Sequence, residues 1–211
     1  PCHHYWTGRS EDMRPFASNG ARASELVGAV MNVQLDRLPG MIENMRAEKK
    51  QIMEGTKHLG NLGLTPAPMN SPEYDCATHI KYTMPSAEIA AKFVEVMPSV
   101  IAGKTGRHTY TEWDQILEHD GASHPAMNPY AMEANKDCRK DYSKDMCQRS
   151  LDILNRTVMI PTDPEHGEAE TEQLTRNIEA AARVAFGDIA LEDAKITRSG
   201  SWDPTRYDED S

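Results

Sequence analysis

Between Arg22 and Gly55, apolar residues return at Leu26, Val30, Val33, Leu38, Met41, Met45 and Ile52. That spacing lays them along one side of a long α-helix. Ser24 stands where an N-cap belongs, with Glu25 behind it, and Gly55 is placed to end the helix as a C′ residue. Pro39-Gly40 falls mid-way and predicts a kink or short break, because proline removes a donor and crowds the preceding turn. The second half is polar outside, and Glu48-Lys49-Lys50 reads as a solvated face. The first half, SELVGAVMNVQL, is small and apolar nearly all round. It must pack on something, and no upstream stretch is long enough to supply the surface.

Further on, residues 1–21 read as loop, and HLGNLGLTPAPMNSPEYD is a Gly- and Pro-rich connection with one short strand near Leu64. CATHIKYTMP alternates. Ala77, His79, Lys81 and Thr83 face one way, and Thr78, Ile80, Tyr82 and Met84 the other, as a strand with one apolar face requires. Ser86 caps a short helix with Ile89, Phe93 and Val96 inward, ended by Pro98. SVIAGKTG reads as a second strand and RHTYT as a candidate third. TEWDQILEHDG gives one or two helical turns from a Thr111 cap to Gly121, followed by the loop ASHPAMNPYAMEANKD. Helix returns from Cys138 to Asn155 with Met146, Leu151 and Leu154 inward, then a strand from Thr157 to Ile160. EAETEQLTRNIEAAARVAFG is the clearest amphipathic helix. Leu174, Ile178, Ala181, Ala182, Ala185 and Phe186 line one side, acids crowd the first turn, and Gly187 stops it. Strands mixed with helices, without a strict βαβ rhythm, predict an α+β fold: a small antiparallel or mixed sheet with helices on one face, entered by a long kinked helix.

Composition narrows the function classes. A formal charge of −10 over 211 residues argues against nucleic acid, since phosphates are met by clustered Lys and Arg. No apolar run reaches the ~18–20 residues that span a bilayer, and PCHHYWTGRSED has no signal-peptide pattern. The start at Pro1, without methionine, points to a fragment or a processed chain. Cys2, Cys76, Cys138 and Cys147 form no CxxC pair and read as free thiols of a cytoplasmic protein. Cys2-His3-His4 lacks a second ligand pair for zinc, so no metal is expected.

Three stretches resemble a known family. NGARASELVGAVMNVQLDRLPGMIENMRA is similar to the Asn-aromatic-Arg-Met-Ser-Glu-Leu motif and crossing helix of the DegT/DnrJ/EryC1/StrS aminotransferases. GRHTYTEWDQILEHDGASHPAMNPY resembles the His-x-Tyr-x-x-Trp and Asn-Pro-aromatic segment of one subgroup, which includes enzymes aminating sugars or eight-carbon sugar acids. CQRSLDILNRTVMIPTDPEHGEAETEQLTRNIEAAARVAF is similar to the closing strand and helix. Together they cover about residues 18–187. The resemblance implies the C-terminal domain of a fold type I, pyridoxal-phosphate-dependent enzyme. Its organisation would be a loop remnant over 1–21, a small domain over 22–187 with its connecting helix at 23–54, and an acidic disordered tail over 188–211.

It further implies transamination of a keto sugar or sugar acid with an amino-acid donor, in a cytoplasmic homodimer of amino-sugar biosynthesis. The lysine that carries the cofactor, and acts as general base, would lie in a large N-terminal domain. No lysine here sits in the family's Ser- and Gly-rich setting, so none is assigned that role and this chain alone should not transaminate. The family's phosphate-binding Asn, two residues before Arg22, is matched by Gly20, with Asn19 one residue earlier. Either Asn19 serves through a shifted loop or the Gly20 amide replaces it. Arg22 either adds charge there or pairs with Glu25. His108, Tyr110 and Trp113 match the segment facing the sugar, where a flat ring with a polar tip suits a mixed surface. The other reading makes Tyr110 and Trp113 core aromatics. Asn128 and His124 fall in a loop that either closes over substrate or is plain surface. The alternative for the whole chain is a stand-alone, non-catalytic dimerisation or ligand-binding module.

Overall fold

The computed structural model describes residues 23–106, 109–119, 121, 124–138 and 141–196. Two compact units emerge, one from Glu25–Lys104 with the chain from Ser150 onward, the other from Thr105–Arg149.

The larger unit begins with α1 (Glu25–Gly55), followed by β1 (Thr65–Pro66), β2 (His79–Thr83), α2 (Ala87–Val96) and β3 (Val100–Ile101). The second unit holds α3 (Asp114–Leu117); α4 (Gln148–Asn155) leads out of it, and β4 (Thr157–Pro161) and α5 (Glu168–Ala185) follow. The four strands form one antiparallel sheet in the order β1-β2-β4-β3. The alternation in β2 is as the sequence predicts: Ile80 and Tyr82 pair with Ile160 and Val158, and all four are buried. Their face forms one core with Ile52 of α1, Phe93 of α2 and Ile178 of α5. The fold is therefore α+β with a small antiparallel sheet. Ser86 caps α2 by accepting from the Ile89 amide at 3.3 Å. Glu170 reaches back to the Gly167 amide at 3.1 Å to start α5, and Gly187, at φ +77°, ends it in the left-handed region.

Several expectations are corrected. The helix α1 runs without interruption through Pro39, so there is no break; proline removes one ladder bond and the flanking ones persist. Gly55 is not a left-handed stop but the last helical residue. A Cβ there would lie 2.8 Å from Cγ2 of Thr175 on α5, so glycine lets the two helices approach. Glu48 and Lys49 do not belong to a solvated face. Glu48 is 4% exposed, because it shares a side of the helix with Met45 and Ile52. Residues 188–196 are not featureless tail: the Asp188 amide donates to Arg183 O, and Ile196 packs against the core. The remaining tail from 197 lies outside the described residues, as does the loop remnant.

The first half of α1 is bare. Leu26, Val27, Val30, Met31, Val33, Leu35 and Leu38 are 41–75% exposed, whereas Met45 and Ile52 are buried. One helix thus carries a built-in half and an uncovered half.

At the end of α1, the Thr56 hydroxyl donates to Ile52 O at 2.8 Å and contacts Tyr82 Oη at 2.6 Å. Burial pushes the Tyr82 phenol above its ordinary value, partly opposed by the bond to Thr56. The neutral phenol is thus the folded form. Its stabilisation is complete below the unfolded value near 10 and is lost as pH rises past it. Urea midpoints measured from about pH 9 to 11 should fall more steeply for the natural chain than for Tyr82→Phe. Equal slopes would show that Tyr82 does not contribute.

Candidate functional site

Of the residues the sequence singles out, Asn19, Gly20, Arg22 and His108 lie outside the described residues. Tyr110, Trp113 and Asn128 all belong to the Thr105–Arg149 unit. RHTYT supplies no strand over its described residues; Tyr110–Glu112 is a single 3-10 turn instead. The short helix α3 (Asp114–Leu117) follows, and its cap position is Trp113 rather than Thr111. His119, at φ +59°, closes it. The helix expected from Cys138 begins only at Gln148, and Met146 is exposed. Asp141, Lys144 and Asp145 crowd that stretch with charge and leave no apolar stripe before Leu151.

Tyr110 spans the unit with its hydroxyl, which donates to Lys144 O at 2.5 Å and accepts from the Cys147 amide at 3.2 Å. Its polar tip is therefore occupied by backbone, and its ring is what remains to meet another molecule. Trp113 is 44% exposed and is not a core aromatic. The Asn128 amide group works at both ends within its own loop: Nδ2 donates to His119 O at 2.8 Å, and Oδ1 accepts from the Tyr130 amide at 3.0 Å. It shapes the loop. His124 does the same more locally, its Nδ1 accepting from the Ala126 amide.

An aromatic group that the sequence reading did not single out adjoins Asn128. His119 stacks on Tyr130 with centroids 4.8 Å apart, and meets Tyr142 edge-on at 6.5 Å. Burial, then the Tyr142 phenol, pushes the Tyr130 phenol above its ordinary value. The three residues are 11 and 12 apart in sequence and lie in turns and irregular chain rather than in one helix or strand, so no local pattern announced them.

The other polar constellation is in the larger unit. Glu48 Oε1 meets His166 Nδ1 at 2.6 Å, and Oε2 accepts from the Asp163 amide at 2.9 Å. One residue on, Lys49 Nζ bonds Asp75 Oδ2 at 2.6 Å and His79 O at 3.1 Å. Arg46 donates to the carbonyls of Asp75 and Glu73. Burial pushes the Asp75 carboxyl up, but its bonds to Lys49 and the Ala77 amide, with the charges of Lys49 and Lys81, outweigh it and leave the group below its ordinary value. Burial, with Lys81 and Lys49 nearby, holds the His79 imidazole below its ordinary value. A buried carboxylate on a histidine can orient that ring for proton transfer, leaving Nε2 as the working nitrogen. No nucleophile accompanies Glu48 and His166 in these contacts, and both Glu48 oxygens serve the segment leading into α5. The arrangement is a staple between α1 and that segment.

A hollow of about 320 Å³ opens between the end of α1 and β1, lined by Met53, Thr56, Lys57, Leu64, Pro66 and Tyr82 among others. None of the nominated residues lines it. Among the described residues no three His, Cys, Asp or Glu side chains gather as metal ligands, and no helix is long and apolar enough to cross a membrane. Compared with known proteins, the chain matches no family model and no curated protein sequence.

Proposed function

We propose that this chain is the C-terminal portion of a pyridoxal-phosphate-dependent aminotransferase of fold type I, acting on a keto sugar or sugar acid, with the cofactor lysine supplied by an N-terminal domain. The observation that carries this reading is α1. Its second half is built into a small antiparallel sheet with helices, and its first half presents an apolar surface made for a body not among the described residues. A helix crossing between two domains has that character. When bound, pyridoxal phosphate supplies the electron sink for amino transfer. The residues assigned to its phosphate are Asn19, Gly20 and Arg22.

Within this reading, the sugar meets Trp113, His108 and the ring of Tyr110, while Asn128 acts indirectly by holding its loop. The enzyme would be a cytoplasmic homodimer drawing its amino group from an amino acid. The test is to express the full-length gene product and record its near-visible absorbance. The band of protein-bound pyridoxal phosphate is expected, and substitution of the upstream lysine should abolish it. A folded full-length product that never takes up the cofactor overturns the reading.

A further inference from the structure

We propose that the hollow between the end of α1 and β1 is a binding site for a small amphipathic carboxylate, an acid with an unbranched aliphatic tail that enters tail first and leaves its head at Lys57. The volume of about 320 Å³ falls at the lower end of the ~300–1,000 Å³ of small-molecule sites. Burial sorts the lining by depth. Thr56, Leu64 and Tyr82 are 1–2% exposed and form the floor. Lys57, Gly60, Thr65 and Pro66 are exposed and form the mouth, with half-buried Met53 between.

The floor offers apolar contact and no polar group to spare. Its two hydroxyls, Thr56 Oγ1 and Tyr82 Oη, bond each other at 2.6 Å, and Thr56 also donates to Ile52 O at 2.8 Å. A polar group driven against them would break that bond or stay unpaired, a cost that an alkyl end avoids. The unbranched Met53 thioether adapts its shape to such a tail.

The mouth sets the head. Among the described residues lining the hollow, Lys57 is the only charged one, and no carboxylate among the described residues pairs with it. The adjacent His58 lies 3.6 Å from Glu179 and is engaged there. A single ammonium is a point charge that matches one carboxylate, whereas a phosphate is better met by an arginine fork or several donors. The sheet edge excludes an extended peptide as the occupant. In the order β1-β2-β4-β3, β1 is an edge strand of only two residues, and its Pro66 lacks the N–H that an added strand needs. The hollow lies in the larger unit, whereas Tyr110, Trp113 and Asn128 lie in the other. The inference therefore stands if cofactor binding fails.

Titration of the 211-residue chain with octanoate below its micellar range, followed by calorimetry and by amide chemical shifts, tests it. One saturable site is expected, with the largest shifts at Gly60, Leu64 and Thr65. Each methylene added between butanoate and octanoate should tighten binding about two- to fourfold. Lys57→Glu, at an exposed position, should weaken octanoate at least about threefold and leave octanol within about twofold. Trp202→Ala should leave the octanoate affinity unchanged. The proposal is overturned by a titration that never saturates, by shifts confined to the bare stretch from Leu26 to Leu38, or by equal octanoate affinity in Lys57→Glu. It is also overturned if Trp202→Ala tightens octanoate about tenfold or more, since the chain's own aromatic, acidic C-terminal segment would then be the occupant.

Discussion

Ile52→Ala is expected to destabilise the larger unit by about 3 kcal/mol, while Val33→Ala on the same helix changes its stability by less than about 0.5 kcal/mol at dilution. Ile52 is fully buried in a core shared by α1, α2, α5 and the sheet. Truncating it loses the transfer free energy of three carbons and leaves a cavity that a close-packed interior fills only partly. Val33 is 62% exposed, so the same change removes little burial and slightly improves helical propensity. Urea denaturation followed by far-UV circular dichroism gives both numbers from the shift in midpoint. Comparable losses at the two positions would mean that the first half of α1 is already covered within one chain.

Removing the Glu48 carboxylate should rank second, at about 2–3 kcal/mol for Glu48→Ala. The Glu48 side chain is 2% exposed, so its loss strands the Asp163 amide and His166 Nδ1 together. A buried donor without an acceptor costs about 1–3 kcal/mol. His166, with its side chain 30% exposed, can turn to water and recover part, which keeps the figure below that of a fully enclosed pair. Glu48→Gln retains one acceptor and should lose about half as much. His166→Ala should lose about 1 kcal/mol, and the double variant should fall short of the sum because the two residues share one bond. Additive losses would show that the pair does not act as a unit.

What the sequence discloses about this fold divides along physical lines. The strand β2 and the helices α2 and α5 announce themselves through local period, and their buried positions follow from it. Glu48 could not be read that way. Its partners lie 115 and 118 residues further along, so the local pattern shows only an acid beside two lysines. Gly55 was legible as a helix end, but its reason lies in a methyl group on another helix. In the second unit the sequence nominates Tyr110, Trp113 and Asn128 by side-chain type alone. The polar groups of Tyr110 and Asn128 are engaged by backbone carbonyls and amides, which carry no side-chain signature in a sequence. The His119–Tyr130–Tyr142 group is drawn from turns and irregular chain, where no period operates.

The proline inside α1 has one further consequence. Pro39 donates no hydrogen bond, so the turn on its N-terminal side is joined to the rest of the helix by one link fewer than any other turn. When the apolar half is uncovered, unwinding from Glu25 meets a ready boundary at that residue and gains nothing by continuing into the turns anchored by Met45, Glu48 and Ile52. The proline thus works as thermodynamic insulation. The first four turns can gain or shed structure as their cover comes and goes, and the α+β unit behind them keeps its stability throughout.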